Sequence, residues 1–147
     1  MKVSELLKTK PAAMVTVEPT SSLAAAASLI MERGIGGLPV VKEGGAVEGF
    51  VAERDLVNAL HRNPQGVGAF VVRDIMRRPA PVCSVADTVQ AVMARMTRER
   101  TRHLVVLDAG RAVGVLSVGD ILKYRLEQLE TETGVLRDYV AGQRARG

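Results

Sequence analysis

The stretch GVLSVGD, residues 114–120, places the hydroxyl of Ser117 three positions before the carboxylate of Asp120, behind a short aliphatic run. A serine can donate to a phosphate or sugar oxygen, and a carboxylate can accept from two neighbouring hydroxyls at once. If a helix follows, its first amides also favour an anion. The same residue types cap helices, where an aspartate or serine contributes about 1 kcal/mol without any ligand. Spacing alone supports a cap and a contact equally.

The chain writes this phrase a second time. At 49–55 it reads GFVAERD, which keeps the glycine, the apolar pair and Asp55 but holds Ala52 where the serine should be. A site built there lacks one polar contact. Glu53 and Arg54 replace Val118 and Gly119, so this turn also carries a negative charge beside a positive one.

The phrases end two longer copies. The first opens VSELLKTKPAAMVTV at 3–17 and the second VRDIMRRPAPVCSV at 72–85, each leading through basic residues and a proline into a short β-type run. Helical stretches follow at 21–34 and 87–100. In the second of them Val89, Val92, Met93 and Met96 recur at the spacing that gathers them on one helix face. Asp87 and Gln90 resemble a capping pair at its start. The compact apolar runs GLPVV and HLVVL, the glycine-bearing turns KEGGA and DAGRA, and the runs VEGFVA and AVGVLS read as hairpins. Second helices open at Asp55 and Asp120. The predicted order is strand, helix, strand, strand, helix, performed twice, an α/β (α+β) fold in which two pseudo-symmetric units pack sheet to sheet. The expected division is 1–62 for the first repeat, 63–70 for a linker, 71–125 for the second repeat and 126–147 for a helical extension. Neither copy is long enough to bury much by itself, so pairing is expected to supply the interior.

Composition narrows the function. With 47% hydrophobic and 24% charged residues the chain is of globular type. A net charge of +4 permits anionic ligands without selecting one. Two Phe, two Tyr and no Trp leave little for base stacking, which argues against single-stranded nucleic acid as a partner. The longest nearly apolar run, LAAAASLIM at 23–31, is far shorter than the roughly 20 residues of a membrane span. One cysteine, Cys83, excludes an internal disulfide, and the first residues lack a secretory pattern, so a cytoplasmic location is expected. Cys83, His61 and His103 show no metal-ligand spacing. No phosphate-binding loop or catalytic serine, histidine and aspartate set is present, and no enzymatic activity is expected.

The duplicated order, with its openings SELLKTKP and RDIMRRPA and its endings GFVAERD and GVLSVGD, resembles a tandem pair of cystathionine-beta-synthase (CBS) domains, the Bateman module. The resemblance covers roughly residues 3–125. It implies two clefts between the repeats, ligands such as AMP, ADP, ATP or S-adenosylmethionine rather than a required cofactor, a homodimer, and a regulatory role toward a partner protein. It implies that Ser117 and Asp120, and Asp55 in the other copy, contact the ligand. The phosphate partner would come from Arg100, Arg102 and His103, a cluster expected to face the cleft of Asp55; a solvated helix end accounts for that cluster equally well. Walls for adenine would come from Thr16, Val17 and Val40, or from Ser84 and Val106, although core packing is the default for such valines. Leu122, Leu126 and Leu129 make a partial stripe assigned to a dimer contact. The alternative function is a protein-interaction module with degenerate clefts.

Overall fold

The computed structural model describes residues 1–10 and 14–132. The first copy contains α1 (Val3–Leu7), α2 (Leu23–Arg33), β1 (Gly37–Val41), β2 (Val47–Ala52) and α3 (Glu53–Arg62). The second contains α4 (Val72–Ile75), β3 (Val82–Ser84), α5 (Val89–Glu99), β4 (His103–Asp108), β5 (Arg111–Ser117) and α6 (Val118–Glu132). The mixed α/β architecture agrees with the sequence expectation. Residues of the helical extension past 132 lie outside the described part.

Both hairpins form, β1 with β2 and β4 with β5, each antiparallel with a register shift near its turn. Parallel to β4 runs β3, pairing Val82 with Val105 and Cys83 with Val106. The first copy's equivalent is reduced to one bridge from Val17 to Val40, where Val17 N donates to Pro39 O and Val41 N to Val17 O. Pro39 has no amide of its own to offer that neighbour.

Helix starts follow capping chemistry, with one correction. Ser22 Oγ accepts from Ala25 N at the start of α2, as its residue type suggests. At α5 the cap is Thr88, whose Oγ1 accepts from Ala91 N, and not the expected Asp87 and Gln90 pair. Asp87 is engaged one turn earlier, where its Oδ2 accepts from Ser84 N at 2.8 Å.

The interior consists of two clusters, and each is finished by the opposite copy's opening helix. Val3 and Leu6 of α1 pack among Cys83, Val89, Val92, Leu104 and Leu116 of the second copy. Backbone bonds fix that seat: Val3 N to Asp87 O, Ser4 N to Val85 O and Val89 N to Met1 O. Reciprocally, Val72 of α4 packs among Leu23, Ala26, Leu38 and Val51, with Val72 N bonded to Ser21 O and Arg73 N to Pro19 O. The sheets meet along a seam where the rings of Phe50 on β2 and His103 on β4 lie 5.2 Å apart. Most of the buried apolar residues belong to the two exchanged clusters, while Phe50 of that seam belongs to neither. Leu38, Leu104 and Leu116 are fully buried, each stabilising the fold by roughly 1.5–3 kcal/mol.

Candidate functional site

Between the copies lies a hollow of about 490 Å³, within the range of small-molecule sites. Strand alternation builds one wall. Val113, Val115 and Ser117, two residues apart along β5, face the hollow, while Leu116 between them is buried in the core. The opposite wall is Arg33, Gly34, Ile35, Gly36 and Gly37, where α2 ends and β1 begins. Gly34, with φ +61, closes α2 in the left-handed conformation that glycine adopts without a Cβ penalty. Gly36 lies so close to His103 that a Cβ there would come 2.7 Å from Nε2. Leu7, Lys10, Met14 and Val15 complete the lining.

Asp120 stands at the head of α6 within this hollow, and it is a cap as well as a candidate contact. Its Oδ2 accepts from Ser117 N at 2.8 Å and from Ser117 Oγ at 3.0 Å, while Ser117 Oγ accepts from Asp120 N at 3.2 Å. This is the reciprocal capping box of helix N-termini. A third donor reaches the same oxygen: Lys10 Nζ, at 2.7 Å, which also donates to Val115 O at 2.6 Å. Burial raises the Asp120 pKa, but the hydrogen bond from Lys10 and those from Ser117 outweigh it and hold the carboxyl below its ordinary value. It is therefore ionised at neutral pH.

His103 lines the same hollow. Burial lowers its pKa, and Lys10, Arg102 and Arg77 lower it further against the opposing pull of Asp120. A neutral imidazole results, beside one carboxylate and the cations Lys10 and Arg33.

The counterpart at Asp55 differs. Its Oδ2 accepts from Ala52 N at 2.7 Å, but Ala52 has no hydroxyl to return the bond, so only half the box forms. Here β2 is zipped to the segment after α4: Phe50 N donates to Arg77 O at 3.0 Å and Arg77 N to Phe50 O at 2.8 Å. Gly49 touches the same segment, and a Cβ there would come 2.6 Å from Arg77 O. Arg77 Nη1 donates to Thr101 Oγ1 at 3.1 Å, and Thr101 Oγ1 donates to His103 O at 2.9 Å. Thr101 is the one buried polar residue among those described. These contacts tie β2 of the first copy to the segment after α4 and to the start of β4.

The structure thus brings Ser117, Asp120 and His103 together and separates them from Asp55. It also divides the basic cluster. Arg100 and Arg102 border a second hollow, of about 520 Å³, between α5 and α6 with Arg54 and Arg125 at its rim and Met93, Met96 and Ile121 at its floor. Among the expected adenine walls, Val17, Val40 and Val106 are buried in the core, Thr16 is exposed, and Ser84 Oγ accepts from Ala86 N. None of the five lines the hollow beside Asp120. Lys10 is the contributor that sequence reading did not single out. The only signal for it was its place in KTKP, where the second copy has the shorter RRP.

Cys83 is buried, and burial together with the nearby Asp87 pushes its thiol up to about 11 against the opposing effect of Arg95. No group of three or more possible metal ligands occurs among the described residues.

Comparison with known proteins gives a consistent result. A family model described as CBS domain matches residues 3–62 and 72–127. The CBS domain-containing protein YhcV of Bacillus subtilis is 29% identical over 124 residues, covering 81% of this chain and 84% of that protein. The inosine-5'-monophosphate dehydrogenase of Mycobacterium leprae is 30% identical over 121 residues, which are 80% of this chain but 22% of the enzyme. The crystal structure of the CBS-domain containing protein ATU1752 from Agrobacterium tumefaciens superposes with a TM-score of 0.79 at 34% identity, covering 84% of this chain and 98% of that one. A structure of CBSX2 in complex with AMP shares the fold with a TM-score of 0.72 at 23% identity, covering 86% and 96% of the two chains.

Proposed function

The chain belongs to the CBS domain family, and from that premise we propose that it is a non-catalytic sensor that binds one adenosine-containing ligand in the hollow beside Asp120. The carrying observation is an ionised carboxylate, already paired with a serine hydroxyl, inside an open cleft of about 490 Å³ between the copies. The aspartate accepts from the vicinal ribose hydroxyls, the apolar Val113, Val115, Val15 and Met14 cover the base, and the cations Lys10 and Arg33 attract a phosphate. CBSX2 in complex with AMP is a precedent of the same fold for such a ligand. Among the described residues no helix is long and apolar enough to cross a membrane. The sensor acts as a homodimer through its exposed closing helices, and occupancy alters the dimer or its regulated partner by favouring one arrangement over another.

Thermal melting tests this reading. A ligand supplied at about 100 times its dissociation constant stabilises by about 2.7 kcal/mol, which raises the midpoint by roughly 5–11 °C for a chain of this size. AMP, ADP, ATP and S-adenosylmethionine are the compounds to try, and Asp120→Ala should abolish the response of the one that works. A folded, ligand-free preparation that responds to none would leave the interaction-module reading, which the missing hydroxyl at Ala52 favours. The half-formed box at Asp55 also makes a single site per chain the expected stoichiometry.

A further inference from the structure

The hollow of about 520 Å³ between α5 and α6 has an apolar floor that includes Met93 and Ile121, and its rim carries Arg54, Arg100, Arg102 and Arg125 with no carboxylate. The ion pairs among the described residues engage none of these four arginines. Arginine and methionine are the side chains enriched where proteins meet. An apolar floor ringed by unpaired guanidinium groups fits an acidic segment with an apolar edge.

Such a segment continues from the same helix. Beyond Arg125, α6 carries Glu127, Glu130 and Glu132 and no basic residue in its last turn. Leu126 and Leu129 are exposed on it. At 3.6 residues per turn Leu122, Arg125, Leu126, Leu129 and Glu132 share one side of the helix. The first half of α6 is thus basic and borders the hollow, while the second half is acidic and bears leucines. A straight helix cannot fold its second half onto its first, so the two halves can meet only in different copies of the chain. Parallel pairing of two α6 helices about a twofold axis would set Arg125 against Arg125 and Glu132 against Glu132, a like-charge contact. Antiparallel pairing about such an axis sets each acidic half against the other copy's arginines, in the isologous arrangement commonest among homodimers.

We propose that a second copy of this chain docks here with its α6 antiparallel to the first. The exposed leucines of each helix pack toward the floor of the other's hollow, and Glu132 of each pairs with the arginine rim of the other, Arg125 foremost. The inference rests on the homodimer of the proposed function and adds to it the direction of the helices and the charges that set that direction.

Charge reversal tests it, read by sedimentation and light scattering of the full chain. Arg125 and Glu132 are both exposed, so the variants keep the fold, which melting checks. Arg125→Glu and Glu132→Arg should each weaken the dimer by about tenfold or more in dissociation constant, because a symmetric interface meets each change twice. The two changes in one chain should restore it. Direction is read separately by cross-linking, since the native Cys83 is buried and stays out of the reaction. A chain carrying Leu122→Cys mixed with one carrying Leu129→Cys should form a disulfide between the two chains on mild oxidation, more than either chain forms alone. Links of like to like overturn the proposal, and so does a dimer that neither single reversal weakens; both leave the homodimer standing. A monomeric native chain would instead remove the homodimer itself.

Discussion

Ser117 and Asp120 cap α6, and in the proposed function the same atoms meet the ligand. The hydrogen bonds that cap α6 also orient the carboxylate toward the hollow, so the capping and ligand-contact readings of GVLSVGD are not exclusive. Both residues were legible because their chemistry is local. Lys10 was not, since its partner lies 110 residues away and nothing near it in sequence points there. His103 was legible as a residue but not by location: it lines the hollow of Asp120, while its neighbours Arg100 and Arg102 point to a different one. Its lowered pKa gives a pH prediction. Between the ordinary value of 6.5 and the lower folded value, the unfolded chain binds the proton that the folded chain refuses. Stability contributed by His103 is therefore full above that window and declines as pH falls through it. Melting midpoints measured from pH 8 to 5 should drop more for wild type than for His103→Gln. Parallel curves would remove His103 as the cause.

At the scale of elements, periodicity placed the helices well, because α2 and α5 follow the apolar spacing of their sequences and stop at residues in the left-handed conformation, Gly34 and Arg100. The hairpins were equally plain from their glycine turns. What sequence could not show was the exchange of α1 and α4, because a repeat reads as a continuous unit while its packing partner is set by tertiary contacts. The exchange is energetically measurable. Leu6 is 4% exposed among second-copy residues, so Leu6→Ala should cost about 2–5 kcal/mol. Urea unfolding of the full chain would report it. The assignment of α1 to the second cluster predicts a loss of that size. A loss below about 0.5 kcal/mol, the level of a surface substitution, would contradict the seat described for α1.

At the scale of the whole molecule, most of the exposed large apolar groups lie on helices. Met31 is 75% exposed on α2, Val57 and Leu60 are exposed on α3, and Leu122, Leu126 and Leu129 form the stripe anticipated on α6. In the proposed homodimer these exposed apolar side chains supply the association surface. Light scattering of the native chain should give the mass of two chains. Introducing Leu60→Glu and Leu122→Glu together should reduce it to one without lowering helix content. A monomeric native chain would refute the dimer and leave these leucines unexplained.

The reciprocal seating of α1 and α4 also constrains how the protein is born. As the polypeptide leaves the ribosome, the first cluster lacks Val72 until α4 has emerged, so Leu38 and Val51 wait for residues made after their own copy is complete. Val3 and Leu6, made before the rest of their own copy, find their neighbours Leu104 and Leu116 only once the second copy has been made. A segment made ahead of the first copy's core is thus enclosed only by the second copy, and an arrest of translation after residue 70 leaves both clusters unfinished.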